Sequence, residues 1–336
     1  MRIKSSWILC VAVCLLGGVS QVQALVNKTF CVYDPIGGNG PVFQQMKDYQ
    51  AAALEWGVKF TVKPYTDERV AAEDFKSGAC DAVGLTGARG RQFNPFTGTL
   101  DSVGAMPTYA HVKTVMKILS EPKAAALMKR GEYEVAMLAP GGAVYLYLKD
   151  RNLKTVNDLS GKRFAVFEAD SSQRELVLKL GASPVSASIA GMYSQFNNGS
   201  VDVCVGPAVV YQAMELYKGL EPKGGVVKFA VGQLSLQVLI RQKDFPAGFG
   251  EKSRAYGFSR YDTIMQVVTK ADKTIADRWW IAVSDEHQRG YREMFRKARI
   301  ELRNKGIYDA KMLTLLRKVR CNLEPTGSEC TAPDRE

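Results

Sequence analysis

Apolar and polar positions along the chain alternate in short runs separated by stretches of helical period, and this rhythm starts twice. Thr29 to Tyr33 reads as a β-strand, followed by a turn-rich loop, Asp34-Pro35-Ile36-Gly37-Gly38-Asn39-Gly40. Pro41 suits the first position of a helix, and Val42, Phe43, Met46, Tyr49, Ala53 and Leu54 then recur at helical spacing. Val58 to Val62 predicts a second strand, Asp67 to Lys76 a second helix, and Asp81 to Leu85 a third strand. The middle repeats the style. Tyr133 to Leu138 predicts a strand, and Pro140-Gly141-Gly142 leads into a helix-like segment through Leu148. Lys162 to Phe167 and Val201 to Val205 are strands; Ser172 to Leu180, Met192 to Asn197 and Val209 to Tyr217 are helical, with Asp170 or Ser171 capping the first of these. Val226 to Val231 returns towards the first half. Ile275 to Asn304 predicts a long helix, restarted at Asp285 after Ser284, and Tyr308 to Arg320 a terminal helix. Alternating strands and helices with short connections imply an α/β protein built on a parallel sheet covered on both faces.

A local phrase recurs. Phe75-x-x-Gly78-x-x-Asp81, followed by Val83-Gly84, returns 121 residues later as Phe196-x-x-Gly199-x-x-Asp202, followed by Val203, Val205 and Gly206. Each copy reads as a helix end, a glycine able to take positive φ, and an aspartate opening a buried strand. Two similar lobes follow from it.

The N-terminus adds an address. Arg2 and Lys4 precede an apolar run from Trp7 to Val19, and Val22-Gln23-Ala24 fits a signal-peptidase site. The run is shorter than the roughly 20 residues a spanning helix needs. Residues 1–24 are therefore read as a signal peptide cleaved after Ala24, and the protein as periplasmic. Loss of Arg2 and Lys4 takes the formal charge from +11 to +9. Much of that excess lies in Arg289, Arg292, Arg296, Lys297, Arg299, Arg303 and Lys305, read as a solvated helix face and not as a nucleic-acid site. At 46% hydrophobic and 24% charged the composition is globular. Five cysteines remain after cleavage; Cys321 with Cys330 is the first predicted pair and Cys31 with Cys80, on neighbouring strands, the second, leaving Cys204 free. With two histidines, His111 and His287, read as helix-surface residues, and no ligand spacing, neither a metal nor a cofactor is expected. No nucleophile has a recognisable base beside it, so no enzyme is expected.

Leu153-x-x-x-x-Asp158-Leu159-x-Gly161-Lys162-Arg163-Phe164, then Leu180-Gly181-Ala182-Ser183-Pro184-Val185, Phe196 to Asp202, and Trp280 to Gln288 resemble, in this order, segments of the periplasmic receptors of TRAP-type transporters. The chain also looks like a group of solute-binding proteins linked by name to efflux and aminoglycoside resistance. The resemblance implies a type II periplasmic-binding-protein fold: two α/β lobes, a hinge and an interlobe cleft. It implies a monomeric receptor for a small polar solute with a membrane permease as partner; an envelope adaptor associated with an efflux system is the alternative. We expect lobe 1 to comprise residues 25–137 plus 232–336 and lobe 2 residues 138–231. Such receptors keep an arginine on the strand after their Gly-x-Lys phrase to clamp a ligand carboxylate. Here Ala165 takes that position, and Arg163, on the same face, is the candidate substitute.

Ligands of open α/β sheets sit beyond the carboxyl ends of the strands. The candidates there are Asp34, Gly38 and Asn39, beside a helix start that favours anions, and Thr86, Arg89 and Arg91 after the third strand. In the second half they are Glu168, Ser172, Gly206 and Tyr211, the last able to stack on a ligand. The arginines suit an anionic solute and the carboxylates a cationic one, so sequence leaves the charge of the ligand open.

Overall fold

A computed structural model describes residues 25–332, 334 and 336; the leader and its cleavage site lie outside the described residues. A single mixed sheet runs through the molecule. Its main path comprises β1 (Val26–Tyr33), β2 (Val58–Tyr65), β3 (Ala82–Thr86), β4 (Tyr133–Leu148), β5 (Arg163–Phe167), β6 (Ser183–Ala187), β7 (Val203–Pro207) and β8 (Gly232–Arg241). In space they run β2-β1-β3-β8-β4-β7-β5-β6. β1 lies parallel to β2 and β3, and β5 parallel to β6 and β7. Between these two parallel groups, β8 is antiparallel to both β3 and β4, and β4 is antiparallel to β7.

Period-two alternation sorts the side chains onto two faces of each group. Phe30 and Val32 of β1 point into one apolar cluster, while Cys31 and Tyr33 point into another. In the second group Phe164 and Val166 enter one cluster and Ala165 and Phe167 the opposite one. Four cores result, two for each half of the sheet, as a pair of α/β lobes requires.

β4 joins the lobes. Tyr133 to Val144 pairs with β8, and Val144 to Leu148 with β7. The expected helix through Leu148 is therefore strand. The run is buried on both faces, so its polar positions vanish and helix and strand can no longer be told apart by period. β8 was not anticipated either, because Gln233, Ser235 and Gln237 are buried polar residues that disguise it as loop. The long helix spans Asp285–Asn304 with Ser284 as its cap; the stretch before it forms a short turn and the two-residue strand Trp280–Ile281. Val209 to Tyr217 is likewise broken, into a 3-10 turn at Ala208–Val210 and a helix at Leu216–Leu220. Helix Asp285–Asn304 buries Tyr291 and Phe295 against the second lobe and Leu302 against the first. No helix among the described residues is long and apolar enough to cross a membrane.

Both expected disulfides form, Cys31–Cys80 tying β1 to the start of β3 and Cys321–Cys330 closing a C-terminal loop, while Cys204 stays free and buried. Sequence separations of 49 and 9 residues correspond to about 4 and about 2.5 kcal/mol of removed chain entropy. Paired Cys→Ala replacement at Cys31 and Cys80 should thus cost more stability in urea unfolding than the same change at Cys321 and Cys330. The reverse order would contradict the loop-entropy account.

Candidate functional site

The repeated phrase has the same geometry in both lobes. Gly78 and Gly199 end their helices at φ +88° and +80°, a conformation that costs glycine little. Asp81 then accepts the Thr29 N–H at 2.7 Å and pairs with Lys28, while Asp202 accepts the Arg163 N–H at 2.9 Å and pairs with the Arg163 side chain. Each aspartate staples a neighbouring parallel strand, β1 at Thr29 and β5 at its first residue. Arg163 is consequently the second-lobe counterpart of Lys28, exposed at the amino end of β5 and turned away from the cleft. The structure does not bring it to the site, and Ala165, which lines the cleft, has no substitute there.

The first-lobe loops are filled from within. Asp34 is fully buried, and its carboxylate accepts N–H groups of Ile36, Val42 and Phe43 at 2.9–3.1 Å. It thereby occupies the positive end of helix Pro41–Glu55, the place where a ligand anion was expected. Gly38 and Asn39 lie in a 3-10 turn beside it and do not reach the cavity. Thr86 does line the cavity; its hydroxyl caps the short turn Gly87–Gly90 and its N–H donates to buried Glu68.

Arg89 and Arg91 cross the cleft. Arg89 Nη2 reaches Glu168 Oε1 at 2.8 Å, with Glu68 3.7 Å from its Nε, and Arg91 Nη1 reaches Asp170 Oδ1 at 2.8 Å. Side chains singled out as rival binders of anions and cations therefore bind one another, clasping lobe to lobe. Asp170 also caps helix Ser171–Lys179 and accepts the Ser172 hydroxyl. Tyr211 does not face a ligand: it is 2% exposed and stacks on Tyr147 with ring centroids 6.3 Å apart.

Behind the clasp lies a cavity of about 250 Å³ between the lobes. Its walls include Val144, Leu146, Phe164, Ala165, Val205 and Leu234, with Gly206 and Ser172 also lining it. Asp101 and Tyr291 were missed from sequence. Asp101 sits in an irregular turn with no motif around it, and Tyr291 looks like any apolar residue of a long helix. Asp101 Oδ1 accepts the Ser235 N–H at 3.0 Å, while Oδ2 has no partner. Gly87 makes room for it: a Cβ there would lie 2.7 Å from Asp101 Oδ2 and 2.4 Å from Ser235 Oγ. Burial pushes the carboxyls of Glu68 and Asp101 up to about 7, against the pull of Arg89 on the first and Arg91 on the second.

Outside the cleft, much of the basic stretch is engaged within the chain. Arg296 pairs with Glu293 and Asp334, Arg299 with Glu329 and Glu336, and Lys305 with Glu175 and Glu301. His111, expected on a helix surface, is instead 2% exposed; its Nδ1 lies 2.8 Å from the Thr108 hydroxyl and burial lowers its pKa. No cluster of metal-binding side chains occurs among the described residues.

Two α/β lobes joined by crossing strands, with a cavity between them, define a solute-binding receptor. The chain belongs to the AdeT 1/2 family of solute-binding proteins, whose family model matches residues 52–335. It is 41% identical over 303 residues, 90% of this chain and 100% of the relative, to "Probable solute-binding protein AdeT1" of Acinetobacter baumannii. Its fold is that of TRAP periplasmic solute-binding proteins. One from Desulfovibrio salexigens with bound orotic acid superposes with a TM-score of 0.74 at 16% identity, covering 88% of this chain and 99% of that one. The extracytoplasmic receptor DctP7 of Bordetella pertussis, binding pyroglutamic acid, gives 0.71 at 12% identity over 88% and 99%.

Glu68 and Asp101 hold protons more tightly in the folded than in the unfolded chain, so their ionisation opposes folding. That cost is absent below the ordinary carboxylate range and complete above about pH 7. Asp101→Asn should therefore gain melting temperature relative to the parent as pH rises from 5 to 8, by several degrees, in differential scanning calorimetry. A difference independent of pH would show that the carboxyl is not raised.

Proposed function

We propose that the protein is a periplasmic receptor that closes on a small solute between its lobes and hands it to a membrane permease of the TRAP type. The observation that carries this reading is the cavity behind two interlobe ion pairs, Arg89–Glu168 and Arg91–Asp170. Binding and closure are coupled in such an arrangement, because the cation–carboxylate pairs form only when the lobes meet. Family membership supports a solute as the cargo, and the TRAP-like fold supports that class of transporter. Of the predicted site residues, Thr86, Ser172 and Gly206 belong to the chamber wall, and Arg89, Arg91 and Glu168 to the clasp. Asp34 holds the loop beside the chamber.

The proposed lobes are residues 25–137 plus 232–336 and residues 138–231, with β4 passing between them; its pairing with both β8 and β7 supports this division. The segment from Ile275 to Val283 and the start of helix Asp285–Asn304 pack with the second lobe. Export as a cleaved, monomeric receptor completes the proposal, supported by the leader-like N-terminus.

A solute that fits the chamber should raise the melting temperature and lower the radius of gyration measured by X-ray scattering. Arg91→Met leaves Asp170 buried without its cation, a loss of about 3 kcal/mol for the closed form. The solute-free variant should scatter as a more open particle than the parent. Unchanged scattering in both experiments would refute closure as the working motion.

A further inference from the structure

The helix start and both arginines of the clasp are each held by a carboxylate of the chain itself, with Arg89 Nε and Arg91 Nη2 left without a hydrogen-bond partner. Asp34 fills the start of helix Pro41–Glu55, Glu168 holds Arg89, and Asp170 holds Arg91. Among the described residues that line the cavity there is no lysine, arginine or histidine; the charged ones are Asp34, Asp101 and Asp170. Two of these are saturated, Asp34 by three backbone N–H groups and Asp170 by Arg91 and Ser172. Asp101 alone of the three retains an acceptor without a partner, Oδ2, and it forms no ion pair. A second unpartnered polar atom among the lining residues is the hydroxyl of Tyr291, a side chain 1% exposed that packs in the second-lobe core. The remaining wall is mostly aliphatic and aromatic.

A carboxylate entering this space meets no cationic side chain on the cavity wall and faces the carboxyl of Asp101, which leaves its desolvation poorly compensated. An ammonium finds the reverse: a desolvated carboxylate oxygen to receive it and apolar surface for its body. We propose that the solute is a small amine with an apolar body, its ammonium received by Asp101, and that simple carboxylates are excluded. This rests on the receptor reading above and names the ligand class of that chamber. It separates the protein from structural neighbours that hold orotic and pyroglutamic acids. The raised carboxyl of Asp101 agrees with it, since burial outweighs the Ser235 hydrogen bonds and the pull of Arg91, and an arriving ammonium would favour the ionised form.

The test uses three probes with one skeleton, 3-phenylpropylamine, 3-phenylpropan-1-ol and 3-phenylpropanoate. Each is titrated calorimetrically at pH 7.5 into the full mature chain and into Asp101→Asn, which keeps the Ser235 bond. The amine should bind about tenfold more tightly than the alcohol, the worth of one charge-assisted hydrogen bond, and the carboxylate more weakly than either. In Asp101→Asn the amine-to-alcohol ratio should fall to near unity. Native mass spectrometry of protein purified without denaturation reads the same question independently of skeleton: a retained amine supports the assignment. A retained acid, tighter binding of the carboxylate, or an amine advantage that survives Asp101→Asn would overturn the amine assignment and leave the receptor intact. If no probe binds and no small molecule is retained, the receptor reading itself fails and takes this inference with it.

Discussion

The structure depends on one strand serving two lobes. β4 pairs with β8 from Tyr133 to Val144 and with β7 from Val144 to Leu148, so the sheets of both lobes share a backbone and cannot separate as independent bodies. Its apolar residues are buried on both faces, which fixes its register against both neighbours. Pairing passes from β8 to β7 at Val144, just after the register shift between Pro140 and Gly142. The chamber lies against that point, with Pro140, Gly141 and Val144 in its wall.

Around this frame the two lobes repeat one device, an aspartate after a left-handed glycine that receives a backbone N–H of the neighbouring strand, of Thr29 within β1 and of Arg163 at the start of β5. They differ in what they bring to the cleft. The first lobe supplies cations on the turn after β3, and the second supplies carboxylates after β5. Burial makes these contacts directional, because an unpaired member would be stranded away from water. Closure therefore has an electrostatic component before any ligand is considered.

The sequence made the strand–helix rhythm, the repeat and both cysteine pairs readable, since each is a local pattern with a physical cause. Where burial erased the pattern, reading failed. β4 beyond Pro140 lost its polar face, and β8 carried Gln233, Ser235 and Gln237 inward, where Asp101 and Thr97 satisfy the latter two. The residues around the site were mostly found, because turns after strands are identifiable. Their roles were not. Arg89 and Glu168 are 79 residues apart, and nothing local reveals that each is the other's partner. Arg163 was placed on the correct face of β5 but at the wrong end, a distinction that the Asp202 staple makes visible. Tyr211 occupied a helical spacing shared by ligand-stacking and core aromatics, and packing decided for the core.

Helix Asp285–Asn304 has a mechanical role that its sequence conceals. Phe295 stacks against Phe229 in the second lobe, whereas four residues later Arg299 donates to the carbonyl of Val103 in a first-lobe turn, and Leu302 sits in the first-lobe core. Its two ends are thus anchored in bodies that must move apart. Such a helix acts as a strut across the back of the hinge. Opening proceeds by sliding packed side chains over one another in small steps, which limits the amplitude of the jaw and makes the lifetime of the closed state a property of that rear contact as much as of the solute.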